Sequence, residues 1–499
     1  MLRKIRITLA AISFTLVTLL FLDFTGTIHT WFGWLAKIQF VPAILALNFI
    51  TVAILILLTL IFGRIYCSVI CPLGILQDII SRLGGTGKKR KRRFTWSPAK
   101  NILRYTMLAV FIVAIVAGAG SIAALLEPYS AFGRIASNLL SPLWIWGNNL
   151  LAAIAEHYGS YAFYGREVWL RSLPTFIIAS ATLILLVILA WRNGRTYCNT
   201  VCPVGTVLGF LSKFSLFKVT IDADKCRSCS LCTRQCKASC IDFENHYIDY
   251  SRCVACMDCI DNCPHGAIKY RPGYRMSKRE TDTDTSRRSF MAISAMLATS
   301  AVLKAEEKKV DGGLAVIEDK KIPERATRIV PPGTLSVRNF AQHCTGCQLC
   351  VSVCPNYVLR PSASPLTLMQ PEMSYERGYC RPECNKCSQV CPAGAIRPIT
   401  TEEKSSTQIG HAVWVKENCI PLTDGVHCGN CARHCPSGAI QMVPIGNGKG
   451  KRRRQHAGGL KIPVINTERC IGCGACENLC PARPFTAIYV EGNSVHNII

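Results

Sequence analysis

The run CTGCQLCVSVCP, residues 344–355, restricts what this chain can fold into more than any other feature. Three thiols at every third position, a fourth four residues on and then proline form the spacing that wraps three thiolates around one [4Fe-4S] cubane. The fourth thiolate then reaches a neighbouring cubane, so such quartets work in pairs. Five further quartets resemble it. They are Cys226, Cys229 and Cys232 with Cys236 or Cys240; Cys253, Cys256, Cys259 and Cys263; Cys380, Cys384, Cys387 and Cys391; Cys419, Cys428, Cys431 and Cys435; and Cys470, Cys473, Cys476 and Cys480. With Cys344, Cys347, Cys350 and Cys354 they make six quartets, hence six clusters in three α+β two-cluster modules. Structural zinc uses CxxC pairs without the triple spacing, and disulfides need no proline after the last cysteine.

Two irregularities remain within this pattern. Cys236 precedes Lys237 rather than proline, so Cys240 competes with it for the fourth place, and one of the two is spare. The gap from Cys419 to Cys428 is longer than the others, which a loop absorbs. No CxxC is followed by histidine, and there is no glycine-rich dinucleotide fingerprint and no phosphate loop. The expected chemistry is electron transfer, with no catalytic residue assigned. The formal net charge of +26 treats every cysteine as neutral. Six clusters of charge −2 bring it to about +14, and the remaining basic blocks read as membrane-facing loops rather than as a nucleic-acid site.

Four cysteines stand outside the quartets, in a duplicated motif. GRIYCSVICPLG (63–74) returns 131 positions later as GRTYCNTVCPVG (194–205), each copy directly after an apolar run. Apolar blocks at 5–24, 41–62, 102–126 and 173–191 approach or exceed the roughly 20 residues that span a bilayer, so four membrane helices are expected. Lys and Arg at the start and in KKRKRR (88–93) place both motifs at the cytoplasmic end. Cys67 and Cys71 are i,i+4, as are Cys198 and Cys202, so each pair shares a helix face that Pro72 and Pro203 terminate. Facing pairs would form a four-thiolate nest for an additional iron or iron–sulfur centre; a redox-active or structural thiol set, or plain buried cysteines, are the competing readings. Arg64 and Arg195 are expected at lipid headgroups, with stabilisation of an anionic cluster as the alternative, and Tyr66 and Tyr197 as interface anchors.

A polar linker leads to SRRSFM (286–291) and an apolar run, the form of a twin-arginine signal that exports an already folded domain and is expected to supply a fifth helix. Everything beyond about residue 306 then lies outside the inner membrane. The basic run KGKRRRQH (449–456) reads as an exposed loop between modules, with docking of an acidic partner as the alternative. For a quinol pocket, which needs an apolar cleft and a proton acceptor, the outer loop 127–171 offers Glu127, Glu156 and His157 among Trp144, Trp146 and Trp169, and Asp23 is a further candidate. The apolar middle of that loop is expected to lie flat in the interface.

The helices, the duplicated GRxYCxxxCP and the two-cluster module up to about residue 275 resemble NapH-type membrane polyferredoxins. They are also related to NosR-type and CcoG-type proteins. The tail, with its twin-arginine form and four quartets ending in Cys-Pro, is similar to NapG-type periplasmic ferredoxins. The chain looks like the two fused, as a membrane domain (1–215), a cytoplasmic ferredoxin (216–275), a linker with signal (276–305) and a periplasmic four-cluster ferredoxin (306–499). The resemblance implies an inner-membrane quinol dehydrogenase component of a respiratory chain. It would carry electrons between the quinone pool and a periplasmic redox partner within a hetero-oligomeric complex. The alternatives are a redox maturation factor for a periplasmic metalloenzyme and a conduit from cytoplasmic low-potential donors. The resemblance further pairs the first late quartet with the fourth, so that Cys480 completes the cluster begun by Cys344, Cys347 and Cys350; sequential pairing is the other arrangement.

Overall fold

The computed structural model describes residues 2–84, 94–272, 320–445 and 460–499. KKRKRR, the twin-arginine segment and KGKRRRQH lie outside the described residues. Helices dominate the described residues up to 212: α1 Leu2–Leu22, α2 Thr27–Phe32, α3 Trp34–Lys37, α4 Phe40–Leu45, α5 Phe49–Phe62, α6 Tyr66–Val69 and α7 Pro72–Leu83. They continue as α8 Asn101–Val116, α9 Gly120–Leu126, α10 Pro128–Ile135, α11 Ser141–His157, α12 Leu173–Asn193, α13 Thr196–Thr200 and α14 Pro203–Ser212.

Of the four expected spans only α1 and α12, each 21 residues, are continuous over about 31 Å, the thickness of a hydrocarbon layer. The block 41–62 is broken. Its chain turns through Leu47 at φ 54, and Asn48 restarts the helix by accepting Thr51 N at 3.2 Å. Asparagine is a strong N-cap, and a hydropathy average does not register it. The block 102–126 breaks at Gly118, which takes φ +74 and separates α8 from α9. The resulting α5 and α8, 14 and 16 residues, reach only about 21 and 24 Å.

The stretch expected as an outer loop departs in the opposite direction. It is helical from Pro128 to His157, passing through a π-turn at Ala136–Leu140. Glu127 starts it by accepting Tyr129 N at 3.0 Å and Ser130 N, with Pro128 at the first helical position. All eight residues of α10 are buried, so the start of this stretch is core, whereas Leu143, Trp144, Trp146, Leu150 and Ile154 along α11 are exposed.

After α14 come short antiparallel pairs. β1 Phe217–Ile221 pairs with β4 Ile268–Pro272 around β2 Ile241–Asp242 and β3 Tyr247–Ile248. Further on, β5 Leu359–Pro361 pairs with β6 Pro371–Met373, β7 Thr407–Trp414 with β10 Ile488–Ile498, and β8 Ile440–Pro444 with β9 Lys461–Ile465. Two-stranded pairs are marginal alone. The core between them includes Cys350, Cys419, Cys470, Cys476 and Cys480, so whatever those thiols bind is part of what holds the region folded.

The two cysteine-rich regions sit at opposite ends of α1. Near its start, Arg3 Nε donates to Asp258 Oδ1 at 2.8 Å. Near its end, Phe21 and the Cys347 carbonyl both crowd Gly133, where a Cβ would lie 2.8 and 2.4 Å from them. The helix breaks are covered by the C-terminal region, since Gly394 abuts Ala46, and Gly120 abuts Gln370 and the Ala341 carbonyl.

Candidate metal centres

The duplicated motif builds a pseudo-symmetric, buried site. Cys67, Cys71, Cys198 and Cys202 are each at most 4% exposed and belong to one core cluster. Each motif is a short helix followed by an extended cysteine, contrary to the expected single helical face. Cys67 lies in α6 and Cys198 in α13, while Cys71 (ψ 114) and Cys202 (ψ 118) are the N-caps of α7 and α14. Pro72 and Pro203 therefore open the following helices instead of closing the preceding ones. The first free N–H groups of α14 turn back on the thiols, Gly205 N donating to Cys202 Sγ at 3.3 Å.

Arg64 and Arg195 are fully buried, not at headgroups. Each crosses to the other repeat. Arg195 Nη1 donates to the Cys67 carbonyl at 2.5 Å, and Arg64 Nη2 donates to the Cys198 carbonyl at 3.3 Å and lies 3.8 Å from Cys67 Sγ. Gln77 Nε2 donates to Cys198 Sγ at 3.2 Å. The motif glycines make room for this crossing: a Cβ on Gly74 would meet the Cys67 carbonyl at 2.3 Å and Arg195 at 2.9 Å, and on Gly205 the Cys198 carbonyl at 2.1 Å and Arg64 at 2.9 Å. Tyr66 and Tyr197 are buried too, correcting their expected place as interface anchors. Tyr66 Oη donates to Gln39 Oε1 at 3.0 Å, and Tyr197 Oη reaches the Leu126 carbonyl at 3.5 Å.

The symmetry fails in one informative place. Asp78 follows the first motif at a position where the second repeat has no acid. It binds Arg195 at 2.8 Å, Arg6 at 3.2 Å and Lys237 at 3.6 Å. The matching position is Gly209, where a Cβ would collide with the Ser251 carbonyl at 2.4 Å. The neighbouring cysteine-rich loop has taken that slot, and Arg64 instead holds Asn199 Oδ1 at 2.8 Å and the Ser251 carbonyl at 3.0 Å. A buried guanidinium without a carboxylate is costly, and deprotonated thiols beside it would supply the missing negative charge.

The quartets gather as sequence spacing requires, with one correction. Three hollows are each lined by four cysteines: Cys226, Cys229, Cys232 and Cys263; Cys354, Cys380, Cys384 and Cys387; and Cys419, Cys428, Cys431 and Cys480. In the same exchange, Cys350 is surrounded by Cys347, Cys344 and Cys391, and Cys435 faces Cys470 and Cys473. The late quartets are thus paired sequentially, first with second and third with fourth, not first with fourth. Cys480 does not meet Cys344, because the strands that close each module join neighbouring quartets. Cys236 interacts with Cys256 and Cys259, and Cys240 sits 3.5 Å from its sulfur. A hydrogen bond from Cys240 draws the Cys236 thiol down, making it the readier thiolate.

Burial pushes the thiols of Cys380 and Cys431 up to about 11 and that of Cys473 up to about 12. Metal-free, they stay protonated, and binding of iron must release those protons. Among the described residues no group of three His, Cys, Asp or Glu converges on a single ion, whereas the four-cysteine hollows suit a larger group. Sequential pairing gives a clear test. Cys344→Ser with Cys391→Ser should lose about four irons, no more than either alone, while Cys344→Ser with Cys480→Ser should lose about eight. Iron analysis of the full chain decides it, and eight lost in the first pair would refute sequential pairing.

Other candidates stay apart. Glu156 and His157 are exposed at the end of α11. Asp23 is occupied by its own turn, accepting Gly26 N and Ile28 N at 2.8 Å each, with His29 Nδ1 at 3.2 Å. Trp169 stacks beneath Arg377 and Arg360 of the C-terminal region. Sequence reasoning missed Asp78, Lys237 and Gln77; an acid and an amide on the polar side of α7, directly after the motif, were the only available signal.

Comparison with known proteins agrees with this geometry. A 4Fe-4S binding domain profile matches residues 44–93 and 173–222, covering both copies of the duplicated motif, and another matches 246–269. Two 4Fe-4S dicluster domain profiles match 343–396 and 426–483, which are the sequential pairs. The putative electron transport protein YccM of Escherichia coli is 25% identical over 226 residues, 45% of this chain and 55% of that protein. The ferredoxin-type protein NapG of Escherichia coli is 32% identical over 180 residues, 34% of this chain and 75% of NapG. The methylamine utilization ferredoxin-type protein MauM of Methylobacillus flagellatus is 33% identical over 174 residues, 34% of this chain and 70% of MauM. No solved structure matches. With multiple 4Fe-4S domains and relatives of this kind, the chain belongs to the family of ferredoxin-type proteins that includes MauM and NapG.

Proposed function

We propose that this chain is a membrane-embedded electron-transfer protein, a NapH-like part fused to a NapG-like part, linking the quinone pool to a redox partner across the inner membrane. When bound, [4Fe-4S] clusters supply the electron-carrying chemistry. Cys226, Cys229, Cys232 and Cys263 would hold one cluster, and Cys236, Cys253, Cys256 and Cys259 a second, leaving Cys240 spare. The sequential late pairs would hold four more on the periplasmic side. Other subunits would complete the path at either end.

One observation carries the reading. A single buried core contains Val254 and, packed on it, Cys256 from the inner module, all four cysteines of the duplicated motif, and Cys347 and Leu349 from the outer module. Modules at opposite ends of a 21-residue helix are separated by about 30 Å, too far for one tunnelling step. A centre held by Cys67, Cys71, Cys198 and Cys202 would divide that distance. Apolar side chains exposed along α1, α5, α8, α11 and α12, including Ile12, Ile54, Val113, Leu150 and Ile184, support a lipid environment, because a water-soluble surface rarely shows so many.

The chain is expected to remain in carbonate-washed membranes, and its visible absorbance to bleach when a short-chain quinol is added without oxygen. Recovery in the soluble fraction would sink the membrane reading. Bleaching by dithionite alone would sink the quinone link.

A further inference from the structure

The loop that carries Cys344, Cys347 and Cys350 is set into the helical domain. Cys347 and Leu349 belong to the same buried core as Tyr129 and Phe132, and Gln348 Oε1 accepts a hydrogen bond at 2.9 Å from Asn138 Nδ2 in the π-turn that follows α10. A Cβ on Gly133 would lie 2.4 Å from the Cys347 carbonyl, and one on Gly346 3.2 Å from Ala124. Tyr129 stands one helical turn before Gly133, on the face of α10 that this loop covers. Its side chain is fully buried, and its ring lies 5.6 Å from that of Phe21. Its hydroxyl has no hydrogen-bond partner among the described residues.

A buried hydroxyl left unpaired is costly, and folded proteins rarely keep one without a reason. Few groups can receive this one. Glu127, two positions away, leaves the helix on another face, and its oxygens are turned back on Tyr129 N and Ser130 N. The remaining ionisable neighbours of the phenol are Cys347 and Cys391. They come from different quartets, and under sequential pairing they hold one and the same cubane. Arg134 brings further donors to this place. It is fully buried, donates Nη1 to the Ala124 carbonyl at 2.8 Å, leaves Nε and Nη2 unpaired among the described residues, and its charge interacts with Cys347 and with Tyr197 of the duplicated motif. Hydrogen bonds to the sulfurs of a cluster stabilise its reduced, more negative state and so raise its potential.

Resting on the cluster assignment proposed above, we infer that the Tyr129 hydroxyl of the helical domain donates a hydrogen bond to a sulfur of the cluster held by Cys344, Cys347, Cys350 and Cys391, raising its potential and favouring electron passage from the helical domain into the outer module. The test is redox-titrated EPR on the detergent-solubilised full chain, with iron counted in every variant. Cys344→Ser marks the component that belongs to this cluster by removing it together with about four irons. In Tyr129→Phe, which keeps the ring and deletes only the hydroxyl, that same component is expected to become about tenfold harder to reduce, about 59 mV lower for one electron, while the other midpoints stay. Replacing Tyr129 by 3,5-difluorotyrosine, a stronger donor of nearly the same size, should shift it the other way, and this protein decides the question if Tyr129→Phe loses iron. An unmoved midpoint in either iron-replete protein overturns the inference and leaves the cluster assignment standing. A Cys344→Ser variant that keeps every component overturns the inference together with that assignment.

Discussion

Replacing Cys67 and Cys198 together by serine is expected to remove a spectroscopic signal and the iron in excess of about 24 per chain, with six cubanes retained. The expectation follows from four buried thiols that interact with one another and are flanked by two guanidiniums, only one of which has a carboxylate partner among the described residues. Electron passage between the inner and outer modules should fall to background, since the remaining centres stand at opposite ends of α1. Redox-titrated EPR with iron and sulfide counts on the purified chain reads both effects. About 24 irons in wild type and variant alike would reduce the four thiols to a switch or a scaffold.

Asp78→Asn should destabilise the helical domain by about 3–5 kcal/mol, the cost of stripping a buried cation of its partner. Asp78 is shared by Arg195, Arg6 and Lys237, and through Lys237, which also binds Asp258 at 2.9 Å, it joins the duplicated motif to the inner module. Thermal unfolding in detergent should shift down by on the order of 10 °C. Asp78→Glu, which keeps the charge, should lose less. A melting point of Asp78→Asn within a degree or two of wild type, with iron content intact, would mean that the Arg195 contact to the Cys67 carbonyl suffices alone.

The structure overturned expectations where one property was read from a run of residues and another decided the outcome. Hydropathy counted 41–62 and 102–126 as spans, yet Asn48 and Gly118 break them, because a cap and a left-handed residue act on the backbone at a single position. Arg64, Arg195, Tyr66 and Tyr197 have the composition of a membrane edge, and their burial depends on partners 135, 128, 27 and 71 positions away. Glu127 was legible as an acid near apolar residues, but not as the cap of a buried helix.

Sequence by itself grouped the thiols into quartets, with Cys236 and Cys240 left competing for one place, and showed that the CxxxCP motif is doubled. Ligand spacing is local chemistry, written within a dozen residues. Only the tertiary structure decided which quartets exchange their fourth cysteine, that the doubled motifs form one nest with crossed arginines, and that the Ser251 loop fills the place opposite Asp78. Each of these depends on packing between segments distant in the chain, and a short motif carries no information about what comes to lie against it.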